Sequence, residues 1–371
     1  MRHPLYKDFP MPARRPLQGH AGLWFQRLFN RFDDDKWTVG ETAKRDWLRT
    51  LEGGCGDNKA LERAARRMLA LSRAQGGQSR AFALGWRFAT GLGLEHPVEN
   101  GFTWHPTLGV PYLCGAAVKG LVRAWVECWE ETDDESRQAR LKDWFGNTEA
   151  AGSLVFFDAL PLGPPVLATD VMTPHMGKWY EQGGGIENPA REPQKVPADW
   201  HDPVPVPFLV VREATFVFSI APRVPGHADR VEPAFAALAD ALAWLGAGAK
   251  TAAGYGVMRP AGDALKNIEQ DLEERQAAQE REQAEAALSP LERAIREVLA
   301  ARQDANEPDY TTLVRALEQG RWQGGERVEV ARRVQEMMKQ AKKWKEQSNK
   351  PDKDKDYKRT RKVMAWLEGR E

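Results

Sequence analysis

Cysteine is scarce: Cys55, Cys114 and Cys128 are the only three in 371 residues. Three scattered thiols exclude a disulfide framework and a four-cysteine zinc site. Net charge is missing too. Lys and Arg together number 53, and so do Asp and Glu, so any electrostatic argument for nucleic acid must be local. No apolar run approaches the ~20 residues of a membrane helix, and no stretch has the order of a secretory signal. A cytoplasmic protein without membrane association is expected. The seven histidines show neither His-x-x-x-His nor Glu-x-x-His spacing, so no helical zinc-ligand pair exists. Neither a metal nor a cofactor is expected. Tryptophan, by contrast, is abundant. Fourteen is a high number, and some of these rings should lie on contact surfaces.

The most unusual stretch is Gly246–Gly256, Gly-Ala-Gly-Ala-Lys-Thr-Ala-Ala-Gly-Tyr-Gly. Before it, Val231–Leu245 carries Phe235, Leu238, Ala239, Leu242 and Leu245 at amphipathic-helix spacing. After it, Tyr255–Met258 reads as a short strand. A phosphate-binding loop of the Walker type runs strand, loop, helix, and needs Gly before its Lys-Thr pair. Here the order is reversed, Ala249 precedes Lys250, and Trp244 stands where the first glycine belongs. Nucleotide triphosphate binding is rejected. Two readings stay open: a tight turn with a surface lysine, or a loop whose glycines let an RNA backbone approach while Lys250 neutralises a phosphate. On the second, Gly248→Ala should melt near normally and bind RNA poorly.

Along the chain, Pro4, Pro10, Pro12 and Pro16 with Arg14 and Arg15 predict an extended basic arm over residues 1–20. Helices are predicted over Gly22–Phe32, Thr42–Leu51 and Lys59–Ser72. From Ser79 to Leu94, Phe82, Leu84, Trp86 and Phe88 alternate with smaller or polar residues, the period of a strand. Gly115–Trp129 is a helix with Val118, Leu121, Val122, Trp125 and Val126 on its apolar face. Its Lys119 and Arg123, four residues apart, share one face near the start of the helix, where backbone N–H groups favour an anion. Two solvated cations is the competing reading. Ser153–Leu160 reads as a strand. Residues 161–207 form a polar, proline-rich insertion too long for an ordinary connection, and Phe208–Ala221 gives further strand.

The order strand, helix, strand, insertion, strand, helix, strand predicts an α+β fold. It is a ferredoxin-like (RRM-like) βαββαβ sandwich, the architecture of RNA-recognition modules. N-terminal helices precede it and a helical extension follows. The expected domains are the arm 1–20, a body 21–262 containing the insertion 161–207, and a C-terminal extension 263–371. In that extension Lys339–Lys362 holds 11 Lys/Arg against 4 Asp/Glu. The basic tail reads first as a solvated face, with RNA or a neighbouring subunit as alternatives.

These motifs carry a resemblance. Ser153–Asp158, Thr169-Asp170, Pro174-His175, Pro205–Leu209 and Gly246–Gly256, in that order, resemble RAMP-superfamily proteins. Among these the chain is most similar to the sixth-subunit type of the type III-B CRISPR (Cmr) effector complex. The family's helix start, Pro-Gly-Ser-Ser-x-Lys-Gly-x-x-Arg, appears here as Cys114-Gly-Ala-Ala-Val-Lys119-Gly120-Leu-Val-Arg123. Lysine, glycine and arginine match; the proline and both serines do not. The glycine loop matches throughout, and the resemblance covers roughly residues 15–260. It implies a non-catalytic subunit that holds the 3′ side of the CRISPR guide RNA, helps position target RNA, and has other RAMP subunits as partners. The residues it assigns to RNA are Lys119, Arg123, Gly248, Lys250, Thr251, Gly254, Tyr255 and Gly256, with His175 and Trp179 from the insertion.

Two alternatives are carried. RAMP relatives include endoribonucleases that process CRISPR RNA, and His105, Asp158, Asp170 and His175 would be the raw material for acid–base chemistry. A structural cap that never touches RNA is the other. No catalytic residue is assigned on the leading reading.

Overall fold

A computed structural model describes residues 12, 14–16, 19–33, 36–198, 200–302, 304 and 306–370. The chain divides into two compact units, residues 1–272 and 273–371.

The first unit begins with helices α1 (Ala21–Arg27) and α2 (Glu41–Arg49), the two-residue strand β1 (Gly53–Gly54) and α3 (Asn58–Ala74). Strand β2 (Gln78–Leu84), helices α4 (Gly115–Cys128) and α5 (Asp134–Phe145), and strands β3 (Leu154–Phe156), β4 (Leu160–Pro161) and β5 (Val166–Met172) follow. Helix α6 (Gly177–Gln182), β6 (Val206–Glu213), β7 (Thr215–Pro222), α7 (Val231–Trp244) and β8 (Met258–Pro260) complete it, with the first turns of α8 (Lys266–Ala286).

One sheet has the order β3-β7-β2-β8, with β4 also beside β7; a second has the order β1-β5-β6. Every pairing is antiparallel. The alternation of β2 and β7 decides the layers. Phe82, Phe216, Phe218 and Ile220 join one core with Val118, Val122 and Val126 of α4 and Phe235, Leu238 and Leu242 of α7. Ala81 and Val217 point the other way and pack with Ala65 and Leu69 of α3, Leu265 and Ile268. A strand with both faces apolar has to be covered on both sides, and this sheet is. Its second face is therefore closed to RNA, unlike the open stacking sheet of a recognition module.

Several predicted elements differ. The strand expected over Ser79–Leu94 ends at Leu84. There the chain leaves the sheet, Trp86 is exposed, and Phe88 bridges instead to Val211 of β6. The single strand expected over Phe208–Ala221 is two, broken at Ala214, and its halves belong to different sheets. The insertion contains a strand, β5, whose register runs from Val166↔Glu213 to Met172↔Val206 with one shift between Val166 and Leu167. The polar Thr169 and Asp170 obscure its alternation in the sequence. Helix α5 escapes a reading by periodicity because only Leu141, Trp144 and Phe145 are buried along it.

Of the predicted arm, residues 1–11, 13, 17 and 18 lie outside the described residues. Arg15 is buried and donates through Nη2 to the Gly54 carbonyl at 2.8 Å.

In the second unit, α9 (Pro290–Ala300), α10 (Asp309–Glu318), α11 (Gly324–Gln340) and α12 (Lys355–Leu367) surround their own core. It contains Ile295, Leu313, Leu317, Trp322, Val330, Val334, Met338, Val363 and Trp366. Helix α9 starts with Pro290 at N1 and a Ser289–Glu292 capping box, which satisfies orphan N–H groups at both ends of the motif. Among the described residues no helix is long and apolar enough to cross a membrane.

Candidate nucleic-acid interface

Helix α7 ends at Trp244 and the glycine loop turns back to β8 through alternating left-handed positions. The loop is held by its own backbone. Ala247 N–H donates to the Gly256 carbonyl at 2.9 Å, Ala249 N–H to Ala89 at 2.7 Å, and Gly256 N–H to Arg87 at 2.7 Å. Those bonds bring Gly248 and Gly256 against other backbone. A Cβ on Gly256 (φ +76°) would lie 1.8 Å from the Ala247 oxygen, and one on Gly248 (φ +90°) 2.2 Å from the Ala89 oxygen. At both positions the missing side chain makes room for the protein itself, as the tight-turn reading holds. The expectation of near-normal melting for Gly248→Ala is therefore revised. Gly254 (φ +85°) differs, with no atom within 4 Å of its Cβ position. It is the loop glycine with space for a ligand above it.

Lys250 adopts φ +59°, a conformation costing a non-glycine residue about 1–2 kcal/mol. Its ammonium lies 5.7 Å from the centre of the Phe208 ring and 3.9 Å from Met172 Sδ. Among the described residues no carboxylate pairs with it, so its charge is available to an anion.

Tyr255 is committed elsewhere. Its hydroxyl donates to Asp170 Oδ2 at 2.6 Å, and Arg87 Nη1 reaches the same oxygen at 2.5 Å. Burial, followed by the Asp170 hydrogen bond, pushes the Tyr255 phenol up to about 12. Burial also works against the Asp170 carboxylate, but the bonds from Tyr255 and Arg87 outweigh it and hold the group below its ordinary value. Tyr255 thus fastens the loop to β5.

A groove of about 870 Å³ runs between the loop residues Gly246, Gly248, Ala249, Thr251 and Ala252 and the α4 residues Ala117, Leu121 and Ala124; Lys250 and Gly254 do not line it. Trp129 and Trp244 also line it and are 62% and 77% exposed. Large rings that exposed mark a surface made for contact. Both stand at the ends of their helices. Trp244 falls off the stripe of Phe235, Leu238, Leu242 and Leu245, a break the sequence shows. Trp129 instead continues the stripe of Val122 and Trp125, and is exposed because α4 ends before it.

The paired cations of α4 do not line this groove. Lys119 Nζ donates to the Phe145 carbonyl at the end of α5 at 2.8 Å, and Arg123 meets Glu127 at 3.4 Å. The start of α4 already has its anion, since Asp158 Oδ1 accepts from Gly115 N–H at 2.7 Å. Expecting an exogenous phosphate at that terminus is corrected accordingly: a carboxylate of the chain occupies the position.

His175 and Trp179 belong to a different part of the surface. A pocket of about 720 Å³ is lined by His175 and by Lys178, Trp200, His201 and Asp202. The Trp179 ring instead covers Gly183, where an added Cβ would lie 2.1 Å from it. Of the residues weighed for acid–base chemistry, His105 Nδ1 accepts from Thr107 and Leu108 N–H within its own turn. Burial lowers its pKa and the Asp158 charge opposes that. Asp170 is held by Arg87 and Tyr255, and His175 is exposed. Among the described residues no group of His, Cys, Asp and Glu is arranged to hold a metal ion.

A family model, RAMP superfamily, matches residues 53–259. The chain is 28% identical over 227 residues to "CRISPR system Cmr subunit Cmr6" of Pyrococcus furiosus, covering 46% of this chain and 64% of that protein. It is 30% identical over 94 residues to "CRISPR system CMR subunit Cmr6" of Saccharolobus solfataricus, 25% of this chain and 31% of that one. The match therefore spans less than two thirds of either relative's length. A chain in the cryo-EM structure of the Type III-B Cmr-beta bound to cognate target RNA aligns with TM-score 0.44 at 21% identity. That alignment covers 62% of this chain and 77% of the other. With more than half its length inside the family match, which includes β2, α4, α7 and the glycine loop, the chain belongs to the RAMP superfamily.

Proposed function

We propose that the chain is a cytoplasmic, RNA-binding subunit of a type III-B CRISPR ribonucleoprotein. In this role it holds the 3′ side of the guide RNA beside other RAMP subunits, helps position target RNA for antiviral defence, and performs no chemistry itself. The observation that carries this reading is the similarity to Cmr6 over 227 residues, together with a glycine loop whose Lys250 meets no carboxylate among the described residues. The strand order β3-β7-β2-β8, with α4 and α7 as crossovers, supports a ferredoxin-like core. Because both faces of that sheet are covered, RNA meets the loops. Gly254, Thr251 and Lys250 offer backbone approach, a hydroxyl and a charge, while Trp129 and Trp244 supply stacking surfaces in place of Tyr255. Specificity comes from base pairing within the guide–target duplex.

The test is reconstitution with labelled guide RNA and the partner subunits, followed by residue-level crosslinking. Crosslinks should fall on residues 250–254 and on Trp129 or Trp244. Lys250→Ala should reduce guide retention about tenfold with an unchanged melting temperature. Full retention by Lys250→Ala, with crosslinks absent from the loop, would overturn the reading.

A further inference from the structure

We propose that the C-terminal unit carries a second single-stranded RNA surface, outside the family fold, formed by the turn Lys342–Asp354 and the outward face of α12. The proposal goes beyond the glycine loop and does not depend on it.

The segment Lys339–Lys362 concentrates positive charge in a chain that is neutral overall. Three of its four carboxylates are already engaged, and the fourth, Asp352, is exposed between Lys350 and Lys353. Asp354 accepts from Lys345 at 3.0 Å and caps α12 through the N–H groups of Asp356 and Tyr357. Asp356 lies between Lys343 at 3.7 Å and Arg359 at 3.6 Å. The Glu346 carboxylate accepts from the Trp344 indole at 3.0 Å. The fold leaves Lys342, Lys350, Lys353, Lys355, Lys358 and Arg361 exposed, and none of them pairs with a carboxylate among the described residues.

Folding does not explain where these cations stand. Lys353, Lys355 and Lys358 flank the start of α12, the positive end of the helix dipole, where cations are unfavourable. Asp352, Asp354 and Asp356 stand in the same stretch, but Asp354 and Asp356 are already paired with Lys345, Lys343 and Arg359, so they offset only part of that. A local rule broken without full compensation within the fold points to a role outside it. Lys355, Lys358 and Arg361 also recur every third residue, each step advancing about 4.5 Å along the helix. This makes a row of charges, the form a sugar–phosphate backbone requires. Tyr357 of the same helix and Trp344 of the turn, both half-buried, add aromatic rings to this stretch, as single-strand sites combine cations with rings. An acidic protein surface would need no rings.

The experiment uses the full chain and a labelled oligouridylate, with affinity measured across a salt series. The variant replaces Lys350, Lys353, Lys358 and Arg361 with Ser. Each phosphate that is no longer neutralised lowers the log–log salt slope by about 0.7 for single strands, so a drop of about 2–3 is expected, with melting unchanged. If the fourfold variant melts lower, Lys353→Ser with Arg361→Ser repeats the measurement and should lower the slope by about 1.4. An unchanged slope overturns the proposal. So does polyglutamate displacing the RNA as well as unlabelled oligouridylate does, which would make this an acidic-protein dock. Lys250→Ala measured alongside separates the two sites. If it is silent while the fourfold variant loses slope, the loop reading fails and this one stands.

Discussion

Tyr255 and Asp170 join the glycine loop to the second sheet by a 2.6 Å hydrogen bond across 85 positions of sequence. Tyr255→Phe should therefore cost about 1.5–3 kcal/mol at neutral pH, the range for a bond to a charged group. The Asp170 pKa is depressed in the fold, so its contribution is present above its ordinary value of 3.8 and is lost as pH falls through the lowered value. The Tyr255 pKa is raised, so its contribution is complete below its ordinary value of 10.0 and is lost as pH rises through about 12. Urea midpoints of wild type and Tyr255→Phe should differ most between those limits and converge outside them. A difference constant from acid to alkali would show that the bond is not what the substitution removes.

The three glycines Gly248, Gly254 and Gly256 should separate by stability. Gly254→Ala meets open space and carries only the strain of a positive φ, about 1 kcal/mol. Gly248→Ala and Gly256→Ala add a clash with backbone oxygens that cannot swing aside, and should cost at least about twice as much. Melting curves rank them. Equal melting of all three would mean that the loop relaxes freely.

Lys119 and Arg123 should part company as well. Lys119→Ala removes a charged donor from the Phe145 carbonyl and should lower stability by about 1 kcal/mol. Arg123 is 53% exposed and, among the described residues, pairs with Glu127 alone, so Arg123→Ala should change stability by less than about 0.5 kcal/mol. If Arg123 meets guide RNA, its removal lowers the salt slope by about 0.7. An unchanged slope would return it to a solvated surface.

For His175→Ala, target-RNA cleavage by an assembled complex should be unaffected. The side chain is exposed in the insertion and lines a pocket whose lining includes neither Asp170 nor His105. Loss of one specific cleavage event, with assembly and RNA occupancy intact, would promote the ribonuclease alternative.

Patterns of short range are legible in the chain itself. The spacing of Val118, Val122 and Val126 and of Phe235, Leu238 and Leu242 places α4 and α7, because a helix buries one stripe whatever lies opposite. The glycine loop is equally visible, since glycines that dense can only be a special backbone.

Tertiary structure decided what those patterns are used for. Nothing local distinguishes Gly248, which makes room for the Ala89 carbonyl, from Gly254, which faces open space. The difference lies in the chain near Ala89, far earlier in the sequence. The break at Ala214 is hidden for a similar reason, since Phe208–Ala221 is largely apolar and only the two sheets reveal where one strand ends. Lys119 likewise reads as a free cation until α5 places the Phe145 carbonyl 2.8 Å from its ammonium. Periodicity reports which side of an element is buried, but the partner of a charge, or the neighbour of a missing side chain, is set only when distant segments meet.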